Sequence, residues 1–286
     1  MSIIILAAVL GFLLMVIGGT RGLRTIATLV INFVLFIILA RLILNGVNPV
    51  FAAVTACILI CLVTLCINVG LNAKSIAAFA SVIFVVLMLW LIVECIGRGS
   101  RIEGFPFQRL SDIAGYSLII NIDMGDLVVA CILMGLIGAV TDTAIAVVSA
   151  QFEVAYNNPD LSFGDIWTSG CRVGRDLIGT TCNTLFFAYL GGYLALLIWF
   201  RLYRYSFAEI INSAVFAEEF LRVAASALGC VLVMPVSALF GALILRTRLS
   251  CILDVLERTK SAINRWLDSN PYRDENNNEN NGGTQK

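Results

Sequence analysis

Long apolar runs separated by short polar segments dominate the chain, and they predict membrane-spanning helices. A helix needs about 20 mostly apolar residues to cross the hydrocarbon core of a bilayer. Seven stretches approach or reach that length: residues 3–17, 25–44, 50–69, 75–96, 127–150, 177–200 and 223–245. None shows the alternating pattern of a barrel strand, so only helices satisfy the backbone in lipid. We predict an all-α, polytopic transmembrane helical bundle of about seven spans.

Turn and cap residues separate the first spans. Gly18 and Gly19 close the short first span, the pair Asn48-Pro49 opens the third, and Gly70 ends it, as glycine and proline do at helix ends. The four N-terminal spans form a predicted membrane region over residues 1–96.

The C-terminal half is predicted to contain a loop, a second membrane region and a tail. Residues 97–125 form a mixed-charge extracytoplasmic loop, and residues 126–245 contain three spans. Within the latter, Ser206 and Glu209 make a capping-box pattern that predicts an interfacial helix over residues 206–222. Residues 246–286 begin with apolar residues on one helical face, typical of an amphipathic helix on the inner leaflet. They end in a polar, Asn-rich tail predicted to be disordered.

Basic residues set the predicted orientation. With seven spans, one side of the membrane receives 12 lysines and arginines and the other receives 7. The more basic side is ordinarily cytoplasmic. The C-terminus is therefore predicted to be cytoplasmic and the N-terminus external.

Composition narrows the function classes. The chain is 59% hydrophobic and 13% charged, with a formal net charge of zero and no histidine. A neutral chain lacks the positive field that attracts nucleic acid. Without histidine it lacks the commonest general base and metal ligand. The nine cysteines form no CxxC pair. We predict no enzyme activity, no metal, no cofactor and no nucleic-acid partner.

One acidic residue lies within the fifth predicted span. Gly135, Gly138 and Asp142 share a helical face with Ser149 and Glu153. Small residues let another helix approach closely, so this face should present Asp142 to a neighbouring helix. A carboxylate at that depth usually marks function, although Asp142 could instead be solvated or hydrogen-bond a neighbour. Glu153 is interpreted either as functional or as an interfacial partner of basic residues.

The sixth span carries a polar row that runs inward from the predicted cytoplasmic side. Asp176, Thr180 and Asn183 share a face, which Gly179 adjoins and which Arg172 and Arg175 precede. The pair Arg175–Asp176 is either a structural ion pair or part of a functional row. Hydroxyl and amide side chains here suit both helix association and the passage of polar solutes.

The two polar faces predict one cluster. Asp142 and Asn183 lie at similar distances from the loop that joins their helices, so Asp142, Thr180 and Asn183 should lie at matched depth. In the last span, Pro235 removes one backbone hydrogen bond and permits a kink.

The residues of this half resemble the YibE/YibF-like family of bacterial membrane proteins. The similar segments are MGLIGAVTDTAIAVVSAQFE, NNPDLSFGDIWTSGCRVGRDLIGTTCNTLFFAYLGG and INSAVFAEEFLRVAASALGCVLVMP. The chain departs from the sequence expected of the family at Thr141, Thr143 and Cys182. These residues make the surroundings of Asp142 more polar. The resemblance implies a multi-pass plasma-membrane protein and no established substrate. The chain also resembles the membrane half of SecD/SecF and other RND-type proteins in the order of four features: an in-membrane acid, a glutamate about one helix further on, a proline-containing polar loop and a Ser/Thr-rich span. That group couples proton flow to transport.

Two function classes follow. The first is a transporter or exporter component, proton-coupled through Asp142. The second is a non-transporting scaffold or partner subunit of a membrane complex. The expected partners are the lipid bilayer and either a second YibE/YibF-like subunit or further copies of this chain. A water-filled cavity reaching Asp142 would favour transport, and a dry bundle would favour the scaffold.

Overall fold

The computed structural model describes residues 2–100 and 124–246, and in this part every regular element is an α-helix. The helices are α1 (Ser2–Leu44), α2 (Pro49–Asn68), α3 (Ala73–Ser100), α4 (Met124–Asn157), α5 (Phe163–Gly192), α6 (Leu194–Leu202), α7 (Phe207–Ile211) and α8 (Ala214–Arg246). The all-α prediction is confirmed. Most of the predicted 97–125 loop and nearly all of the predicted C-terminal amphipathic helix and tail lie outside the described residues.

Helix α1 contains a sharp break at Gly19, where the backbone leaves the helical region with φ 53° and ψ −130°. Side chains disfavour this conformation, and glycine adopts it without steric cost. Beyond the break, a Cβ on Gly22 would collide with the backbone carbonyl of Leu14. Residues 14 and 22 would be about 12 Å apart along a straight helix, so the chain bends back on itself. The two arms of α1 correspond to the first two predicted spans.

Replacing Gly22 with alanine should disrupt this bend, because the obstructing atom belongs to the backbone and cannot rotate away. The expected result is a lower temperature at which buried thiols such as Cys57 and Cys61 react with a maleimide dye. Gly11→Ala is the matched control, since nothing lies within 4 Å of a Cβ at that position. Equal effects of the two substitutions would show that the close approach at Gly22 is unimportant.

The predicted boundaries of α2 are confirmed. Asn48 caps the helix by accepting hydrogen bonds from the backbone N–H groups of Val50 and Phe51, and Pro49 occupies the first turn. Gly70 follows the helix with a positive φ of 89°. The amide of Asn48 also donates to Asp126 at 2.7 Å. This bond fixes the start of α2 beside the start of α4.

Helix α4 is the centre of the bundle and packs against α2, α3, α5 and α8. Its branched residues mesh with those of α3 in a fully buried core that includes Leu89, Val85, Ile132, Leu136 and Val140. Helix α1 packs on α2, where Asn32 donates to Thr64 at 3.1 Å. Only 11% of the apolar stretch of α1 is buried inside the bundle, so this helix lies at the periphery.

The sixth predicted span begins earlier and is bent. Helix α5 starts at Phe163, where Ser162 and Asp165 form a capping box, and it continues into α6 after a 47° bend at Tyr193. The glycine pair that precedes this residue leaves the bend unobstructed, since nothing lies within 4 Å of a Cβ at either glycine.

The predicted interfacial helix over residues 206–222 is divided in two. The capping box of Ser206 and Glu209 is confirmed, but it opens a helix of only five residues. A second cap follows, in which Ser213 accepts a hydrogen bond from the N–H of Phe216 at 3.3 Å. The last span therefore begins at Ala214 rather than at residue 223, and it continues through Pro235 as one helix.

Five of the described helices are long and apolar enough to cross a membrane, and the bent pair α5–α6 would make a sixth. The sequence predicts seven. The difference arises at α1, which counts as one helix although its arms match two predicted spans. The described chain is that of a multi-pass helical membrane protein.

Candidate functional site

A close junction of three helices supports the site. Gln151 on α4 is 1% exposed, and its amide donates to the carbonyls of Ile166 on α5 at 3.0 Å and Ala238 on α8 at 2.9 Å. Any Cβ on Gly170 or Gly241 would collide with the Gln151 side chain. Glycine at these two positions therefore makes room for an amide that joins α4, α5 and α8.

A second glycine on α5 continues this contact. A Cβ on Gly174 would collide with the side chain of Met234 on α8. Gly170 and Gly174, four residues apart, are the two fully buried residues on α5. Small residues at this spacing let helices approach closely. The buried face of α5 is therefore the glycine face, which the sequence analysis did not identify.

The register between α4 and α5 sets the depth of Asp142. Near one end of the pair, a Cβ on Gly135 would lie 2.6 Å from the hydroxyl of Tyr189. Near the other end, Gln151 bonds to Ile166. Interpolating along two antiparallel helices places Asp142 level with roughly residue 180. The matched depth predicted for Asp142 and Thr180 is therefore present.

Within the described residues, no hydrogen bond joins Asp142 to the polar face of α5. Thr180 instead donates to the carbonyl of Leu177, one turn earlier on its own helix, at 3.0 Å. Asp142 and Asn183 are exposed, and within the described chain neither makes a side-chain hydrogen bond. Thr141 and Thr143, which flank Asp142, are buried and donate to carbonyls of their own helix. The chain thus leaves the Asp142 carboxylate on an open face of α4.

The other predicted residues on α5 also face outward. Arg172, Arg175, Asp176 and Gly179 are all exposed. The ion pair expected between Arg175 and Asp176 does not form within the described part of the chain, because adjacent residues on a helix point about 100° apart. The predicted polar row is therefore present, but it lies on the outer face of α5.

Three further predicted residues are placed as follows. Glu153 is exposed and forms no ion pair with Arg172 or Arg175 in the described residues; its backbone carbonyl accepts from Asn157 at 2.9 Å. Gly138 lies on the open face of α4 with nothing within 4 Å of a Cβ, and the same is true of Gly179. These two glycines therefore make no close helix contact within this chain.

A charged cluster lies at the start of α8 and was missed in the sequence analysis. Arg222 Nη2 lies 2.9 Å from Glu218 Oε1, and Nη1 lies 3.2 Å from Glu219 Oε1. Arg222 Nη1 also donates to the hydroxyl of Tyr193, at the α5–α6 bend, at 3.5 Å. The exposed fractions of these charged side chains are only 18%, 9% and 12% for Arg222, Glu218 and Glu219.

The cluster begins a row of polar side chains that winds along α8. Four residues beyond Arg222, the buried Ser226 hydrogen-bonds the hydroxyl of Tyr189 at 3.1 Å. Four residues further, Cys230 is buried, and a Cβ on the preceding Gly229 would lie 3.2 Å from Val140 on α4, two residues before Asp142. From Glu218 to Cys230 this polar row rises about 18 Å. It therefore leads from one end of the bundle to the depth of Asp142.

The spacing of the polar row is the signal that could have revealed it. Glu218, Arg222, Ser226 and Cys230 recur every four residues in the stretch EEFLRVAASALGC, which places each beside the next along a row that winds by about 120° around the helix. The last span was predicted to begin at residue 223, which separates Glu218 and Arg222 from Ser226 and Cys230.

These features define a multi-pass α-helical membrane protein with ionisable side chains inside its bundle. The model of the YibE/F-like protein family matches residues 6–247, and the chain belongs to that family. No curated protein and no solved structure matches the chain. The resemblance to the YibE/YibF-like family is confirmed, whereas the comparisons give no support to the likeness to SecD/SecF.

Proposed function

We propose that the chain is a transporter or exporter component of the plasma membrane, with its C-terminus in the cytoplasm, and that a cation, most simply a proton, drives it through Asp142. The observation that carries the proposal is the polar row along α8, which runs from the Glu218–Arg222 cluster to the level of Asp142 on α4. Ionisable side chains within a membrane are costly and usually mark ion pathways or proton relays.

The exposed face of α4 that carries Asp142 supports the same function. Cys131, Gly135, Gly138 and Asp142 follow one another along that face and are all exposed. A Cβ on Gly135 would meet the hydroxyl of Tyr189, which hydrogen-bonds Ser226 of the row. Nothing lies within 4 Å of a Cβ on Gly138, so a small polar solute or a line of water could pass beside the row to the carboxylate.

Proton flux into proteoliposomes tests the proposal. With a pH-sensitive dye inside the vesicles and an imposed pH gradient, the wild-type protein should conduct protons or couple their flow to solute movement. Asp142→Asn should lower that flux by about 100-fold, the scale on which a missing proton donor or acceptor slows a reaction. Asparagine keeps the shape and the hydrogen-bonding capacity of the side chain but cannot release a proton in the physiological range.

Asp160→Asn is the matched control, because Asp160 is exposed in the turn between α4 and α5, away from the row. It should leave the flux unchanged. Wild-type-like flux in Asp142→Asn, with both variants folded and inserted, would contradict the proposed role of Asp142.

A scaffold is the second candidate, and one observation favours it. The outer face of α5 is polar and uncovered by the described chain, as a surface for another subunit would be. A scaffold would show no flux in proteoliposomes and would tolerate Asp142→Asn. It would lose its complex when the outer face of α5 is altered.

A further inference from the structure

The outer face of α5 is polar over much of its length. Six exposed residues follow one another along it: Thr168, Arg172, Asp176, Thr180, Asn183 and Thr184, with Arg175 beside them. From Thr168 to Thr184 the helix rises about 24 Å. The opposite face of the same helix holds the buried glycines that contact α4 and α8. The polarity is therefore confined to the side that the described chain leaves open.

Lipid is a poor cover for this face. Thr180 and Thr184 satisfy their hydroxyls on their own helix, through the carbonyls of Leu177 and Thr180. Arg172, Arg175, Asp176 and Asn183 have no such partner within the described chain. Charged and amide side chains in a membrane almost always face protein or water. Something other than acyl chains must therefore contact them.

We propose that the cover is a second copy of this chain, joined through α5 by a two-fold axis along the membrane normal. All copies insert in the same orientation, so the two α5 helices run parallel and each residue faces its own copy at the same depth. Two-fold dimers are the commonest homo-oligomers, and their interfaces are self-complementary. The proposal therefore requires that this face pair with itself.

The face meets this requirement at two levels. Asn183 carries both an amide donor and a carbonyl acceptor, so it pairs with the partner's Asn183. Arg175 and Asp176 differ by about 1.5 Å in depth, so each meets its opposite charge across the axis, Arg175 with the partner's Asp176. Within one helix the Arg175 and Asp176 side chains point about 100° apart and do not pair with each other, so both can pair with the partner chain.

Gly179 lies between these two levels and permits close approach. Nothing lies within 4 Å of a Cβ at this position, although glycine weakens a helix interior. Small residues at transmembrane interfaces let helix backbones come together. The open space at Gly179 is therefore consistent with a second helix packing at this level. Gly170 and Gly174 make the close contacts within the chain.

A charge exchange between two differently labelled variants tests the pairing. Arg175→Asp gives a face with two acidic residues, and Asp176→Arg gives one with two basic residues. Full-length chains are reconstituted in neutral phosphatidylcholine vesicles, and energy transfer between donor-labelled and acceptor-labelled copies is measured against protein density. Each variant alone should associate about tenfold more weakly than wild type, the scale of two interhelical hydrogen bonds lost by symmetry. Mixing the two variants should restore association, because opposite charges then face each other.

The mixture keeps the test decisive if a single variant folds poorly, because a folding defect is not repaired by another defective chain. Asn183→Leu should also weaken association about tenfold. Arg201→Asp, an exposed arginine on α6, is the matched control and should change nothing. A wild type that stays monomeric at every density, or a mixture no stronger than its components, would overturn the proposal and leave the face to another subunit, to water or to the tail of this chain. Association is measured without any flux, so this result stands apart from the transport test.

Discussion

Arg222→Leu should lower the free energy of unfolding by about 3–5 kcal/mol, the cost of breaking a buried ion pair by removing one partner. Arg222 neutralises Glu218 and Glu219 at once, at 2.9 and 3.2 Å, and both carboxylates are largely withdrawn from solvent. Leucine keeps some of the apolar contact but leaves two acidic side chains together in a poorly solvated place. The loss should appear as reaction of the buried Cys57 and Cys230 thiols at lower temperature.

Two further variants separate charge from packing in this experiment. Glu218→Gln with Glu219→Gln, added to Arg222→Leu, removes all three charges and should recover most of the lost stability. Arg201→Leu, which removes an exposed arginine, should have a small effect. If the triple variant is as unstable as Arg222→Leu, the arginine acts through packing and the charge argument is wrong.

Gly174→Leu should destabilise the bundle by about 2 kcal/mol through overpacking, because a side chain there collides with Met234 on α8. The colliding atoms are Met234 Cγ and Sδ, and Cγ is attached directly to Cβ, so rotation of the methionine tip cannot clear it. The consequence is separation of α5 from α8 around the glycine face. Chemical unfolding in mixed micelles measures the change.

Gly138→Leu is the control for this prediction, since nothing lies within 4 Å of a Cβ at that position and it takes no part in the proposed dimer contact. Leucine raises helix propensity by roughly 0.8 kcal/mol at either position, so the difference between the two variants isolates the collision. Equal stability of the Gly174 and Gly138 variants would contradict the close approach of α5 and α8.

Local signals in the sequence predicted the local structure well. The cap at Asn48-Pro49, the end of α2 at Gly70 and the capping box at Ser206 are all present, because each depends only on residues within one turn. The depth of Asp142 was also predictable, since it follows from counting along two helices joined by a short turn.

Contacts between distant parts of the chain were not predictable from local patterns. The polar face of α5 was the predicted packing face, whereas the bundle uses the opposite face with Gly170 and Gly174. A helix with glycines on one side and hydrogen-bonding residues on the other can associate through either. The choice depends on Met234 and Gln151, which lie on other helices, so the helix alone does not contain the answer.

The charged start of α8 was missed for a different reason. Hydropathy places the end of a span where the charges begin, so Glu218 and Arg222 were assigned to the preceding segment. Their mutual neutralisation, together with Tyr193, lets the helix continue through them. A spacing of four residues between opposite charges was the available signal.

The amide of Gln151 also bears on how the protein is made. Its second acceptor, the carbonyl of Ala238, is 87 residues further along the chain. At 5–20 residues per second, the ribosome needs roughly 4–17 s to produce that acceptor. During this interval α4 has already been synthesised with Gln151 in its apolar sequence, and α8 does not yet exist to accept the second hydrogen bond. A chain truncated before α8 would therefore leave the Gln151 amide without its second acceptor.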